Sequence, residues 1–374
     1  MEIFNFAVTG KIFDRFLAEF KQSVLNRPMF SFEMKPQLAA YEFENFDLMT
    51  LTIDSEVLRP NPLGDPTRRH CPVLVPKGAS PESGWPVVLM LSGFTSNGPQ
   101  AFNIKSYQTP TPVSLDQAVT RAQAPKALFV FCDATTLWGG SQFIDSAGCG
   151  RYGTYVSNEV HHAVLHAPGL NASKSSEQWC VMGGSSGGYG ALQLASRCPD
   201  KFGFAIALAP DSFFEASLLP EIRTALPVLR RMGGVNGALA ELKNGKLMKR
   251  KDWHVVVNVI AMGLCYAPIN EGEPVWPIDL ETGKVLNEVW KEWSRHDPLE
   301  FLRARISQTQ KVKSFYLDAG DRDQFQLQYG TRQIRDLLAQ SGATVQYVGF
   351  EGTHFDLGER REPAWAWLNS QWCG

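Results

Sequence analysis

A serine, an aspartate and a histidine, the three side chains that together can activate a hydroxyl for attack on a carbonyl, follow one another along this 374-residue chain, each after an apolar run. The serine stands in Val181-Met182-Gly183-Gly184-Ser185-Ser186-Gly187-Gly188-Tyr189-Gly190, where Gly184-x-Ser186-x-Gly188 has the form of a nucleophile elbow. Trp179 to Met182 reads as a buried strand and Tyr189 to Ser196 as a helix, the context such a turn requires. Glycines are needed there because the serine takes a strained backbone conformation and neighbouring Cβ atoms would collide. The turn is expected to lift the Ser186 hydroxyl to the top of a sheet. It also leaves the Gly187 N–H at a helix N-terminus, facing the place where negative charge develops. The same letters also suit a flexible loop, so the reading depends on its partners.

A serine hydroxyl is a poor nucleophile until a histidine takes its proton and an acid holds that histidine in the right tautomer. Lys311 to Gly320 reads as a strand ending in a turn, with Asp321-Arg322-Asp323 just beyond, and Asp323 is the expected acid. Thr344 to Phe350 is a second apolar run, followed by Glu351-Gly352-Thr353-His354. His354 alone among the histidines sits on a loop directly after a strand. His161, His162 and His166 fall on an expected helix, His254 and His296 in a Trp-rich helical region, and His70 at the start of an early strand. The order Ser, Asp, His, each after a strand, points to a catalytic triad.

The oxyanion needs donors. Trp85 to Leu91 is a continuous apolar run, as for a strand buried on both faces, and it leads into Ser92-Gly93-Phe94-Thr95-Ser96-Asn97-Gly98. The backbone N–H of Phe94 is the expected partner of the Gly187 N–H, with an ordinary Gly/Asn turn as the bland alternative.

These pieces resemble the putative-esterase family of α/β-hydrolases, which includes esterase D (S-formylglutathione hydrolase) and the enterochelin esterase-like proteins. The resemblance rests on Leu91-Ser92-Gly93-Phe94-Thr95, on Gly184-Ser185-Ser186-Gly187-Gly188-Tyr189-Gly190-Ala191, and on Asp318-Ala319-Gly320-Asp321-Arg322-Asp323-Gln324-Phe325. In the last of these the family acid is the aspartate before Gln-Phe, which favours Asp323 over Asp321 and Asp318. Asn61-Pro62-Leu63-Gly64-Asp65-Pro66 and Gly139-Gly140-Ser141-Gln142-Phe143 resemble patterns of the esterase-like branch, and the likeness spans about residues 50 to 372. One departure is Ser96, where esterase D proteins usually carry a cysteine, and it weakens a formylglutathione assignment. The resemblance implies an α/β-hydrolase fold, a mostly parallel central sheet flanked by helices.

Composition agrees with an enzyme of this kind. Hydrophobic residues make up 44%, enough for a large core, and a net charge of −2 gives no basic field for nucleic acid or an anionic membrane. Met1-Glu2-Ile3-Phe4-Asn5-Phe6 has no basic region or cleavage site of a signal peptide, and no apolar run reaches a membrane span. Seven scattered cysteines, an odd number with no Cys-x-x-Cys pair, suggest reduced thiols in a cytoplasm.

Along the chain, Ile12, Phe13, Phe16, Leu17, Phe20 and Val24 form an apolar stripe on an expected N-terminal helix within residues 1–45. It must be covered by the same chain, by a second copy in a homodimer, or as a flap over the site. Strand-like pieces at Phe46–Ile53 and His70–Val75 would lead the sheet as antiparallel strands, and from Trp85 strands alternate with helical patterns, as in a mostly parallel sheet. The catalytic core is expected over residues 46–211 and 311–374. Between them, residues 212–310 are far longer than a usual connection and read as a helical insertion, expected to form a cap. Trp138, Gln142 and Phe143, on the loop after the Lys126–Cys132 strand, and Tyr189 are candidates for lining the pocket.

His162 and His166 have metal-ligand spacing but lack a carboxylate partner, and the glycines of 183–190 lack the spacing and acid of a dinucleotide loop. No metal and no cofactor are expected. The chemistry implied is two-step acyl transfer from a small or medium ester. A thioesterase of the formylglutathione type or an acyltransferase would use the same residues, and a non-catalytic binding protein would be expected to have lost one of them.

Overall fold

A computed structural model describes residues 31–36, 42–104 and 106–373; the N-terminal apolar stripe and its expected helix lie outside the described residues. The sheet has nine strands: β1 Ser31–Pro36, β2 Phe46–Asp54, β3 Arg68–Pro76, β4 Val87–Leu91, β5 Leu128–Phe131, β6 Trp179–Gly184, β7 Phe204–Leu208, β8 Ser314–Gly320 and β9 Val345–Phe350. They are ordered β1-β2-β3-β5-β4-β6-β7-β8-β9. β1 to β3 are antiparallel and β3 meets β5 antiparallel, while β5, β4, β6, β7, β8 and β9 run parallel. β2, β3 and the parallel remainder are those expected from the alternation of patterns, whereas β1 puts a strand, paired with β2, in the segment 1–45 expected to be a helical extension.

The parallel strands are apolar on both faces because both are covered. Val87, Leu89 and Leu91 of β4 belong to one hydrophobic cluster, while Val88 and Met90 belong to the other. Ten helices matter for the site and its walls: α1 Thr111–Thr120, α2 His161–His166, α3 Ser186–Arg197, α4 Leu219–Met232, α5 Gly234–Lys243, α6 Trp253–Tyr266, α7 Asn287–Ser294, α8 Pro298–Ala304, α9 Leu327–Gln340 and α10 Arg361–Cys373. Leu115 of α1 and Trp365 of α10 cover one face; α3 and Ile334 of α9 cover the other.

From β4 the chain crosses outward to β5 and then returns to the far side of β4 to make β6. The strand order therefore reverses between β4 and β6, which opens a crevice at their carboxyl ends, where sheets of this kind bind ligands. Ser92 to Phe94 leave β4 there, and the two serines leave β6.

Residues 212–310 separate β7 from β8 and are mainly helical, containing α4 to α8. The apolar patterns of Leu226–Met232, Ala238–Met248, Trp253–Met262 and Val289–Trp293 each overlap one of these helices, with α4 beginning and α6 ending a turn or more beyond them. Pro227 lies inside α4 without ending it, because the buried face formed by Ile222, Leu226 and Leu229 outweighs one lost backbone bond. α6 packs against the loop of residues 139–146, and the thiols of Cys149 and Cys265 meet at 3.3 Å across that contact.

Candidate active site

The turn out of β6 occurs at Ser185, one residue before the expected position. Ser185 has φ 56° and ψ −125°, a conformation that is strained for a residue with a side chain. Ser186 is instead the first residue of α3 and is 1% exposed. The sterics agree: a Cβ on Gly183 would come within 2.4 Å of the Gly187 carbonyl carbon, and one on Gly187 within 2.3 Å of the Leu91 oxygen. A Cβ on Gly184 would make only ordinary contact, nearest the Leu208 oxygen at 3.5 Å. The glycines that close approach demands thus bracket Ser185 in the frame Gly183-x-Ser185-x-Gly187. The expectation that Ser186 occupies the apex is corrected, and with it the donor: the amide that follows the apex belongs to Ser186, not Gly187. A double Gly-Gly-Ser-Ser-Gly-Gly satisfies the pattern in two frames; the frame is fixed by where β6 ends, at Gly184.

His354 and Asp323 meet. β8 and β9 are adjacent and parallel, so the loops after them leave the same edge side by side. Asp321 Oδ1 accepts from the Gly352 N–H at 3.0 Å and the Arg322 N–H donates to the Gly352 carbonyl, which ties the two loops together. His354 Nδ1 lies 2.7 Å from Asp323 Oδ2, and the other oxygen of that carboxylate accepts from the Phe325 N–H at 2.8 Å. The Gln324 side chain accepts from the His354 N–H, and the Phe325 ring packs edge-on to the imidazole at 4.9 Å. Asp321 is occupied with the loop and Asp318 with Arg360 at 2.8 Å, so neither is the histidine's acid in this structure.

A third carboxylate, which the sequence reading missed, lies under the serines. Asp211 Oδ1 accepts from the Ser185 hydroxyl at 3.2 Å, and Oδ2 from the Ser186 hydroxyl at 2.8 Å and from the Gln142 amide at 3.1 Å. Burial pushes the Asp211 pKa above the ordinary carboxylate value, opposed by the Ser186 and Gln142 hydrogen bonds and by the nearby His354. Asp211 follows β7, the strand beside β6, and adjacency in the sheet is the signal that would have pointed to it.

Of the four expected pocket residues, Gln142 alone reaches this centre. Gln142 and Phe143 both have positive φ, 52° and 53°, and this kink aims the amide inward. Trp138, Phe143 and Tyr189 are buried at 2%, 3% and 0% exposure and line neither of the cavities near the serines. Phe143 fills the space over Gly190, where a Cβ would come within 2.3 Å of its ring, and Tyr189 stacks with Phe214. These aromatics are packing residues because helix α3 must close onto the loop with no gap.

The Phe94 loop is held from behind by the Gly139-Gly140 segment. Gly139, at φ 111°, comes so close that a Cβ would meet the Phe94 ring at 2.9 Å. The Asn61–Pro66 segment in turn supports the loop of residues 133–146: Asp65 accepts from the Leu137 N–H at 2.7 Å and from the Tyr152 hydroxyl at 2.9 Å. An open cleft of about 930 Å³ runs above these elements and is lined by Ser185, His354, Gly93, Asn97, Met182 and Leu357 among others. His162 and His166 stack on each other at 4.0 Å along α2. Among the described residues, no group of three or more His, Cys, Asp or Glu could hold a metal ion, and no helix is long and apolar enough to cross a membrane.

The model of the family described as Putative esterase matches residues 66–366. No curated protein matches the sequence. Solved structures with a similar fold include the fluorophosphonate-binding serine hydrolase FphF of Staphylococcus aureus, at 15% identity and a TM-score of 0.55, covering 87% of this chain and 99% of that one. An S-formylglutathione hydrolase from Agrobacterium tumefaciens is similar at 15% identity and a TM-score of 0.52, covering 91% and 99%. An acetyl xylan esterase from Paenibacillus sp. R4 follows at 12% identity and 0.51, covering 99% and 96%. At such identities the likeness is one of fold, the α/β-hydrolase fold.

Proposed function

The chain belongs to the putative esterase family, and from that premise we propose that it cleaves carboxylic esters through Ser185, with His354 as general base and Asp323 as the acid that orients it. The observation that carries this reading is the strained apex at Ser185, which opens onto the same cleft as His354, itself 2.7 Å from Asp323. Attack begins when the Ser185 hydroxyl turns from Asp211 to the imidazole and gives up its proton. The backbone N–H groups of Ser186 and Phe94 receive the oxyanion, the Ser186 amide being one of the unpaired donors of the first turn of α3. His354 then protonates the leaving alcohol, and water releases the acid by the same route. Ser186 serves the site with its amide and keeps its side chain on Asp211.

Residues 212–310 act in this reading as a cap that shapes the pocket, since Phe214 and α4 and α6 wall a small cavity at Asp211. A reducing, cytoplasmic setting fits the six described cysteines, all free thiols. The open cleft of about 930 Å³ suits small or medium esters. Hydrolysis of a p-nitrophenyl ester series of rising acyl length tests the reading. Activity should vanish in Ser185→Ala, and full activity in that variant would refute it.

A further inference from the structure

Beside the reacting serine lies a second, smaller cavity of about 50 Å³, bounded by Asp211, Phe214, Glu221, Asn258, Tyr266 and Phe325. By the volume one water needs, it has room for roughly three to five non-hydrogen atoms. One end opens on the catalytic centre: Asp211 accepts from the Ser185 hydroxyl, and Phe325 packs on the His354 ring. The other end lies between α4 and α6, where the Asn258 amide donates to Glu221.

The chemistry of these walls is one-sided. They contain two half-buried carboxylates and no lysine or arginine, and withdrawing an acid from water is costly unless a positive charge or hydrogen bonds offset it. Burial raises the Glu221 pKa as it does that of Asp211, and the charge of Asp211 raises it further. Three of the walls are aromatic, and aromatic faces attract cations through their quadrupoles. Tyr266 adds a polar group: the residue is 2% exposed, its hydroxyl lies beside that of Tyr189 without a well-formed hydrogen bond among the described residues, and it is close enough to Asp211 to feel its charge. The Gln142 carbonyl oxygen, buried behind Asp211, is likewise without a donor. A neutral apolar group would leave both carboxylates with their hydrogen bonds but with no positive charge in this cavity. An anion would be repelled. A small cation answers the charge, the rings and the size together.

We infer that this cavity is a subsite for an alkylammonium group, so that the preferred esters carry a positive charge a few bonds from the scissile carbonyl. The inference rests on the esterase reading and narrows its substrate class. Bound there, the cation is paired with Glu221 and Asp211 and faces Tyr266, Phe214 and Phe325, while the ester carbonyl lies over Ser185.

The test compares matched substrates that differ only in charge. Acetylthiocholine is set against its isostere with carbon in place of nitrogen, and the p-nitrophenyl ester of trimethylammoniobutyrate against its carbon isostere. The first pair puts the cation on the leaving side and the second on the acyl side. In at least one pair, kcat/KM should favour the cation about tenfold or more, in line with a paired and partly desolvated cation on aromatic faces. Glu221→Gln, which keeps the shape and removes a charge, should cut that preference to about threefold or less. A second measurement needs no variant: with an uncharged ester as reporter, tetramethylammonium chloride should inhibit competitively where sodium chloride at equal ionic strength does not. An active enzyme that treats both pairs alike, or whose preference survives Glu221→Gln unchanged, overturns the subsite and leaves the esterase reading standing. Absence of hydrolysis of every ester, charged or not, together with no fluorophosphonate adduct, removes the esterase reading and the subsite with it.

Discussion

The turn at Ser185 and the helical wall of residues 212–310 meet at Asp211, yet they are specified by different physics. The turn is governed by contacts within a few residues and between adjacent strands. Gly183 and Gly187 are glycines because the backbone passes within 2.4 Å of where a Cβ would be, and no other side chain fits. The wall is governed by burial across long separations: Glu221 and Asn258, 37 residues apart, meet because the apolar faces of α4 and α6 pack together. The contrast separates the chemistry proposed for the turn from the specificity proposed for the wall. A change in the turn should stop the reaction or the fold, whereas a change in the wall should alter which ester reacts.

The largest effect should come from Asp323→Asn, which keeps the shape and loses the charge that holds His354 in one tautomer. Turnover should fall by about 10⁴, or about 5.5 kcal/mol of barrier, with the melting curve little changed. Asp321→Asn should cost far less, since Asp321 holds the Gly352 N–H and not the imidazole; equal losses in the two would break the assignment.

Gly187→Ala should act on folding before chemistry. Its Cβ has no room at 2.3 Å from the Leu91 oxygen, so β4 and α3 must separate, and a loss of about 3 kcal/mol or more in denaturant unfolding is expected. Gly184→Ala meets only ordinary contacts and should be milder. The reverse order would return the apex to Ser186.

The smallest effect concerns pH. Asp211 has its folded pKa raised by burial, so the folded chain binds the proton more tightly than the unfolded one. Its contribution to stability is complete below the unfolded carboxylate pKa, roughly 4, and is lost as pH rises through the folded value. Asp211→Asn carries no such charge. Relative to the parent chain its melting temperature should therefore improve as pH rises from roughly 4 towards 7. A gap that stays constant would show that the charge is not the cause.

Much of this was legible in the chain because it depends on short-range pattern. Apolar runs marked β4, β6 and β7, and Asp323 and His354 were singled out as residues just past two strands, with the family resemblance favouring Asp323 over Asp321 and Asp318. The serine frame was not, because Gly-Gly-Ser-Ser-Gly-Gly fits the elbow twice and only the end of β6 decides between the frames. Trp138, Phe143 and Tyr189, readable as pocket or packing residues alike, could not be told apart for a related reason. A large side chain near a strand end serves packing or binding equally well until its neighbours are known. Asp211 and Glu221 were missed, since each draws its meaning from residues brought to it by the fold: the serines and Gln142 for one, Asn258 and the aromatic walls for the other.

The central claim is that the reacting hydroxyl belongs to Ser185. Labelling with a fluorophosphonate, followed by fragmentation of the peptide that holds both serines, reads this directly. The adduct is predicted on Ser185, retained in Ser186→Ala and absent in Ser185→Ala. An adduct on Ser186, surviving in Ser185→Ala, would contradict the account.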